Sequence, residues 1–151
     1  MRAFRSFLVL AALLWAAACQ AQPKVIIQTK ENRELTFQVE VADTPAKREL
    51  GLQYRRELPA DRGMIFLFPS ESHHSFWMKN TPIPLDMIFI NGDRKIVGIV
   101  EQAVPFSTDS RSVPAASQFV LEINGGLAGR YGVKVGDSIS FQGLAPEQVK
   151  E

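Results

Sequence analysis

A short polar run, Lys79-Asn80-Thr81, lies between an aromatic segment and a proline-rich turn that leads to Asp86. Side chains alternate between the two faces of a strand, so Trp77 and Lys79 are expected to share the exposed face. An indole ring beside an ammonium, with an amide and a hydroxyl nearby, can bind a polar ligand. This segment is therefore the first candidate for a binding site.

The same segment has two interpretations that the sequence leaves open. In the first, Lys79 binds an anionic or carbonyl oxygen of a ligand, Trp77 supplies a stacking surface, and Asp86 orients the lysine. Asn80 and Thr81 then add directional hydrogen bonds. In the second, the two prolines of the turn remove backbone donors, so Asn80 and Thr81 stabilise the turn while Lys79 pairs with Asp86 across it.

Metal and cofactor chemistry have little support in the sequence. The two histidines, His73 and His74, are adjacent, and neighbouring side chains on a strand point in opposite directions. The aspartates occur singly, without the spacing of a calcium loop. We therefore expect no metal and no cofactor.

Catalysis by a carboxylate pair is a further hypothesis. No G-x-S-x-G nucleophile motif is present. Asp86 and Glu122 are the best candidates for two carboxylates converging on one cleft. Glu122 stands between Leu121 and Ile123, so its side chain points away from the face that they occupy. Two environments fit this position: solvent, or burial against a cation.

The N-terminal residues indicate export. Arg2 and Arg5 precede an apolar run over residues 7–18 that ends at Cys19, the single cysteine. Twelve residues span roughly 18 Å as a helix, less than a hydrocarbon core of about 30 Å, so a signal sequence is favoured over a transmembrane helix. The position of Cys19 is similar to the lipidated cysteine of bacterial lipoproteins, which implies the periplasmic face of the outer membrane. Plain secretion after cleavage at Ala18 or Ala21 is the alternative, with a periplasmic or secreted product.

The charge of the chain argues against a nucleic-acid partner. Without residues 1–19, which hold two arginines and no acid, the chain has 15 basic and 16 acidic residues. Nucleic-acid binding requires clustered Lys and Arg, whereas these are scattered and only Arg55-Arg56 are adjacent. A membrane contact is expected only through the lipid anchor.

Strands dominate the prediction for the remaining chain. Residues Thr44 and Pro45 predict an N-cap and first turn for a helix over 46–53, and Gly132 predicts the end of a second short helix that begins at Leu127. The loop over 103–117 is long enough to suggest a function. Predicted strands cover 24–30, 34–42, 63–68, 74–79, 87–90, 95–102 and 118–123, with a last hairpin over 133–141.

About eight short strands with two short helices predict an α+β fold, a mainly antiparallel, partly closed β-barrel. The predicted organisation is a signal peptide over 1–19, a tether and first strand over 20–33, one domain over 34–143 and a frayed tail over 144–151.

A set of motifs in fixed order resembles the bacterial and archaeal family called domain of unknown function 192. The resemblance covers roughly residues 35–142, and FWMKNT followed by P-L-D is its most specific block. It implies a fold and no particular activity. Arg55 is one of the matching positions and joins the ligand-binding candidates. The other matching motifs are Gly51-Leu52, Gly63-Met64-Ile65-Phe66, VLEI and GVKVGD.

Three hypotheses for the function follow. The first is an exported, lipid-tethered module that binds a small polar molecule or a glycan around Trp77 and Lys79. The second is a structural module that docks a protein of the cell envelope through a sheet edge or apolar patch. The third is a hydrolase or transferase that uses Asp86, Glu122 and Lys79. We favour the first, a protein that is not an enzyme.

Overall fold

Seven strands, two α-helices and one 3₁₀ turn form the chain over residues 22–149, which the computed structural model describes. The predicted signal sequence, Cys19 and the start of the tether lie outside the described residues. The elements are β1 Lys24–Gln28, β2 Glu34–Ala42, α1 Pro45–Leu50, β3 Arg62–Ser72, β4 Leu85–Ile90, β5 Ile96–Ala103, β6 Ser117–Asn124, α2 Leu127–Tyr131, β7 Ser138–Gln142 and the 3₁₀ turn Pro146–Gln148.

One mixed sheet contains all seven strands, in the order β5-β4-β6-β3-β2-β1-β7. Every pairing is antiparallel except that of β2 with β3, which α1 connects. The sheet curls until its two edges meet, where Lys95 and Ser138 form an isolated bridge. The predicted fold class, a partly closed α+β barrel, is confirmed.

The two faces of the sheet pack against separate cores because side chains alternate along each strand. The inner core receives residues from all seven strands, and β6 contributes Phe119, Leu121 and Ile123 to it. The outer core lies between β3, β4 and β6 and the segments that cover them, and Val120 faces this side. Residue parity on β6 therefore decides which core a side chain enters.

The first helix forms as its sequence predicts. The Thr44 hydroxyl accepts a hydrogen bond from the Lys47 amide at 3.3 Å, and Pro45 occupies the first turn. The helix ends at Leu50 rather than at residue 53, because Gly51 adopts a positive φ of 49° and ends it. The chain then turns back toward the outer core through Leu52, which is buried.

Several predicted strand boundaries are wrong for identifiable reasons. Residues 74–79 do not join the sheet; Phe76 forms only an isolated bridge with Arg111 of the long loop. β3 continues through Pro69 to Ser72 with a shift in register after Leu67. The predicted strand over 133–135 is absent from the described sheet.

The C-terminal tail is more ordered than expected over its described part. A 3₁₀ turn forms at Pro146–Gln148, and Val149 packs against the inner core. Leu144 also packs against the inner core, and the burial of these two apolar side chains favours an ordered tail over a frayed one.

Candidate functional site

The structure places Glu122 inside the outer core. Its neighbours across the sheet are Met64 of β3 and Met87 of β4. Its side chain points to the outer face because Leu121 and Ile123 on either side of it enter the inner core. Glu122 is only 4% exposed. The prediction that it points away from its two apolar neighbours is correct, but the outer face is covered.

No hydrogen bond or ion pair to the Glu122 carboxyl forms among residues 22–149. Burial alone, with no compensating donor or cation, raises the pKa of Glu122 to about 8. The expected alternatives of a solvated carboxylate and of a carboxylate buried against a cation are therefore both wrong. At neutral pH the side chain is mostly the uncharged acid, which can donate as well as accept a hydrogen bond.

Glu122 lines a cleft of about 540 Å³ between α1, the 74–81 segment and the long loop after β5. We call this the aromatic cleft. Its walls carry four aromatic rings, and its rim carries hydroxyl groups. The aromatic rings are those of Phe66, Phe68, Phe76 and Trp77; α1 and the residues after it contribute Arg48, Glu49, Leu50, Leu52 and Gln53; the hydroxyls are those of Ser75, Thr108 and Ser110.

The aromatic walls are packed against one another. Phe76 makes edge-to-face contacts with Phe66 at 5.0 Å between ring centroids and with Phe68 at 6.4 Å. On its other side it contacts Phe89 of the outer core at 5.9 Å. These contacts fix the ring planes, so the cleft keeps its shape without a ligand.

Trp77 and Lys79 project together, as the sequence predicts. The Lys79 ammonium lies 5.1 Å from the centre of the Trp77 ring, and both side chains are exposed. Trp77 also lines the aromatic cleft, whereas Lys79 does not. The predicted pair thus exists, but only the indole belongs to the cleft.

Asp86 does not orient Lys79, contrary to the first interpretation, and does not pair with it across the turn, contrary to the second. Its carboxylate is completely buried and accepts three backbone hydrogen bonds. The donors are the amides of Gln102 at 2.7 Å, Gly126 at 2.9 Å and Ala128 at 2.8 Å. Asp86 therefore joins the end of β5 to the start of α2, a structural role.

Asp86 and Glu122 lie on opposite faces of the sheet. In the register of β4 and β6, Asp86 is opposite Ile123 while Met87 is opposite Glu122. Paired residues share a face, so one carboxyl group points inward and the other outward. The predicted convergence of these two acids, and with it the catalytic set of Asp86, Glu122 and Lys79, is wrong.

Asn80 and Thr81 stabilise the turn that leads from the aromatic segment to β4, as the second interpretation of this segment proposes. We call this turn the corner. The Asn80 side chain donates to Gln53 Oε1 at 3.0 Å and to the Tyr54 hydroxyl at 2.9 Å. The Thr81 hydroxyl donates to the Lys79 carbonyl at 3.1 Å. Thr81 is buried and also lines the cleft. The corner thus connects the residues that follow α1, Gln53 and Tyr54, to the wall of the cleft.

Arg55 lies outside the aromatic cleft. Its guanidinium pairs with Glu40 of β2 at 2.7 Å, and both side chains are about half exposed. The structure therefore places Arg55 in a surface ion pair and not in the lining of the cleft.

Three loops near the cleft hold bulky or polar residues in the left-handed region. Tyr54, Asn80 and Phe106 have φ values of 64°, 54° and 60°. They are joined: the Tyr54 amide donates to the Asn80 carbonyl at 2.7 Å, and the Phe106 amide donates to the Thr81 carbonyl at 3.1 Å. Such conformations cost about 1–3 kcal/mol each and are concentrated at functional sites.

Sequence reasoning missed most of the cleft. The sequence predicts Phe66 and Phe68 only as part of a strand and predicts no role for α1 in a site. The long loop, for which the sequence predicts a function, supplies Thr108 and Ser110 to the cleft lining. The sequence does contain a usable signal. Phe66 and Phe68 alternate with Met64 along β3, so the three side chains share one face of the sheet, and Glu122, which pairs with Met64, lies on that face.

No set of three or more His, Cys, Asp and Glu side chains comes together in the described residues as a metal site would require. His74 stacks on Phe68 at 3.5 Å between ring centroids, and burial is the main cause of its lowered pKa. At neutral pH its ring is therefore uncharged beside the cleft wall.

Comparison with known families decides the assignment. The family model DUF192, described as an uncharacterized ACR, matches residues 25–141. The chain belongs to the DUF192 family. The resemblance seen in the sequence is confirmed, and the matched range includes every residue of the aromatic cleft. None of the curated proteins matches this DUF192 chain.

Two solved structures share the DUF192 fold of this chain. A protein of unknown function from Novosphingobium aromaticivorans is 40% identical, with a TM-score of 0.75, over 78% of this chain and 83% of its own. A Sinorhizobium meliloti protein described as a putative transcription regulator is 41% identical, with a TM-score of 0.78, over 83% of this chain and 97% of its own. Within residues 22–149, no helix is long and apolar enough to cross a membrane.

Proposed function

We propose that this DUF192 domain binds a small molecule in the aromatic cleft, with a flat or ring-shaped apolar body against the aromatic walls. A polar group of the ligand contacts Glu122. The observation that carries this proposal is the buried Glu122 carboxyl, which faces a cleft and has no partner among the described residues.

No cation or donor among the described residues lowers the cost of burying Glu122, since burial alone accounts for its raised pKa. Burying a polar group without a hydrogen bond costs about 1–3 kcal/mol in proteins, and the neighbouring positions on β3 and β4 are methionines that avoid this cost. A buried titratable group with a perturbed pKa in a cleft is a mark of functional sites. The unmet hydrogen-bonding capacity of Glu122 is available to a ligand.

The dimensions and lining of the cleft fit a small ligand. Its volume of about 540 Å³ lies within the range of about 300–1,000 Å³ found for small-molecule sites. Aromatic walls with a few polar groups are the usual composition of such sites. Because the rings already contact one another, binding requires little rearrangement.

We also propose that the domain is exported and tethered through Cys19. The basic residues and apolar run before Cys19 support export, and a lone cysteine after small residues supports lipidation. Mass spectrometry of the mature N-terminus tests this. A diacylated N-terminal cysteine supports the tether, and an unmodified chain that begins at residue 19 or 22 contradicts it.

Tryptophan fluorescence tests ligand binding directly. The chain has two tryptophans: Trp77, which lines the cleft, and Trp15, which belongs to the predicted signal sequence. A library of small aromatic, heterocyclic and sugar compounds is expected to contain members that shift the emission of the wild-type protein. The same compounds should give no shift in Trp77→Phe and weaker binding by calorimetry in Phe76→Leu.

The matched control is Lys134→Ala, an exposed residue that is remote from the cleft. Its binding should equal that of the wild type. A library in which no compound changes the emission or the melting temperature of the wild-type protein contradicts the proposal.

A further inference from the structure

We infer that the aromatic cleft selects a small organic cation, a protonated or methylated amine on a compact apolar body, whose ammonium group contacts the Glu122 carboxylate. This inference rests on the proposed binding function and specifies the chemistry of its ligand. The juxtaposition that supports it is a buried acid in the lining of a cleft that four aromatic rings also line.

The charges around Glu122 leave a place for one added cation. Its neighbours across the sheet, Met64 and Met87, are uncharged. The long loop contributes hydroxyl groups from Thr108 and Ser110, which carry no charge. The 74–81 segment carries Lys79, whose ammonium lies over the Trp77 ring and outside the lining of the cleft. Within the described residues, the strands, the long loop and this segment therefore offer Glu122 no counter-ion in the cleft.

Helix α1 contributes one cation and one acid to the cleft, Arg48 and Glu49. Arg48 already has partners: it donates to the Leu67 carbonyl at 2.9 Å, and its guanidinium lies 5.2 Å from the centre of the Phe68 ring. Next to it, His74 is uncharged at neutral pH because burial lowers its pKa. With Glu122 ionised, the lining has two acids and one base.

The aromatic walls favour a cation over a neutral or anionic polar group. Ring faces attract ammonium and methylated ammonium groups through their negative potential, and this attraction increases in sites that exclude water. An anionic ligand would instead be repelled by Glu122 when ionised and could bind only to its acid form. The acid and the rings therefore select the same sign of charge.

Cation binding must displace a proton from Glu122. The pKa of this carboxyl is about 8 in the free protein, so below pH 8 it is mainly protonated. A cation stabilises the ionised form, and each bound cation then releases close to one proton at pH 6.5. Binding should become about 25-fold tighter between pH 6.5 and pH 8.5, because the carboxyl is already ionised in most molecules at the higher pH.

Isothermal titration calorimetry with two probes tests the inference on the full chain. Benzyltrimethylammonium keeps its charge at every pH, so any pH dependence comes from the protein; benzyl alcohol is the neutral probe of similar shape. We expect the cation to bind at least tenfold more tightly than the alcohol at pH 8.5. Titrations at pH 6.5 in two buffers of different ionisation enthalpy should show the release of the proton.

The variants separate Glu122 from an acid outside the cleft. Glu122→Gln keeps the shape of the side chain and should reduce cation affinity at pH 8.5 at least tenfold and remove its pH dependence. Glu122→Asp should retain the pH dependence at lower affinity. Glu31→Gln, at an exposed acid that does not line the cleft, should change the affinity less than threefold.

The outcomes distinguish the two proposals. Equal affinity for the cation and the alcohol, unchanged in Glu122→Gln, overturns the cation inference and leaves a binding cleft in place. Failure of both probes to bind at either pH overturns the cation inference; the proposed function is then judged by the wider library. If Glu122→Gln does not fold, proton release by the wild-type protein decides: binding of the cation at pH 6.5 without it overturns the inference.

Discussion

Two buried carboxyl groups on neighbouring strands of this domain have opposite environments. Asp86 faces the inner core and accepts three backbone hydrogen bonds. Glu122 faces the outer core, where no donor reaches it in the described part of the chain, and lines the aromatic cleft. A third buried acid, Asp137, resembles Asp86, since it accepts from the amides of Lys30 and Lys134. The two buried aspartates that stabilise the fold thus have hydrogen-bond donors, whereas Glu122, which has none in the described part of the chain, lines a cleft.

Burial alone does not identify a functional acid in this domain. Asp86 is the more deeply buried of the two, yet its hydrogen bonds account for its presence. Glu122 is distinguished by hydrogen-bonding capacity that the folded chain does not use. The cost of that unused capacity has to be matched by something other than folding, and ligand binding is the simplest explanation.

The largest expected effect is the loss of the Asp86 hydrogen bonds. Asp86→Asn replaces one accepting oxygen with an amide nitrogen that faces backbone N–H groups. Losing a hydrogen bond to a charged group costs about 1.5–3 kcal/mol and leaving a buried donor unpaired costs about 1–3 kcal/mol, so a loss of about 3–6 kcal/mol in the free energy of unfolding is expected. Urea denaturation measures it. Glu122→Gln at pH 6 is the matched control and should change stability by less than about 1 kcal/mol, because it replaces one uncharged polar group with another.

The comparison would fail if Asp86→Asn unfolded at the same urea concentration as the wild type. Asp86 would then resemble Glu122 in contributing little to the fold, and hydrogen bonding would no longer separate the two acids.

The next effect is a pH dependence of stability that arises from Glu122. Its pKa is about 4.5 as an ordinary carboxyl and about 8 in the folded protein. Between these values the folded chain retains a proton that the unfolded chain has lost, so stability is fully present below pH 4.5 and falls as the pH rises toward 8. At about 1.4 kcal/mol per pH unit, the wild type should lose about 3–5 kcal/mol relative to Glu122→Gln across this window.

Urea denaturation of both proteins at pH 5, 6, 7, 8 and 9 measures this difference, because all other titrating groups are common to the two chains. A constant difference across the series would show that folding does not change the affinity of Glu122 for protons.

A smaller effect is expected at the corner that supports the cleft. Asn80→Ala removes two side-chain hydrogen bonds and places a Cβ-bearing residue without local hydrogen bonding at a φ of 54°. A loss of about 1–3 kcal/mol in the free energy of unfolding is expected. Asn80→Gly loses the same hydrogen bonds but tolerates this φ, and it should be about 1 kcal/mol more stable than the alanine variant. Equal stability of the two variants would contradict the claim of backbone strain.

The smallest effect is expected for Arg55, which marks the limit of the site. Arg55→Ala removes an exposed ion pair with Glu40 and should change stability by less than about 1 kcal/mol. Its affinity for any ligand found in the fluorescence screen should equal that of the wild type. A clear loss of affinity would mean that the site extends beyond the aromatic cleft.

Much of the fold could be predicted from local sequence signals. The bounds of β2, the Thr44 cap of α1, and Gly132 as the end of α2 follow from alternation, capping chemistry and a left-handed glycine. The segment around Phe76 could not be placed in the same way. It has a strand-forming sequence, but it lies over the sheet and bridges only to Arg111, a contact set by the fold of the distant loop.

The site was harder to predict because alternation gives the face of a side chain and not what covers that face. The alternation of side chains along β6 correctly predicts that Glu122 points away from the face occupied by Leu121 and Ile123. Its burial depends on α1 and the 74–81 segment, which pack over the outer face from elsewhere in the chain. In the same way, the polar character of Asp86 suggested a partner for Lys79, whereas its actual partners are backbone amides that carry no sequence signal.

The most direct test of the account is an NMR titration of the Glu122 carboxyl in the free protein. With glutamate labelled by ¹³C at the side-chain carboxyl, the Glu122 resonance is assigned by its absence in Glu122→Gln. The account predicts that this resonance titrates near pH 8, well above those of the exposed glutamates, and that saturating benzyltrimethylammonium lowers its pKa. Titration near pH 4.5 in the free protein would contradict it, since the carboxyl would then be solvated or already paired, with no unmet capacity for a ligand.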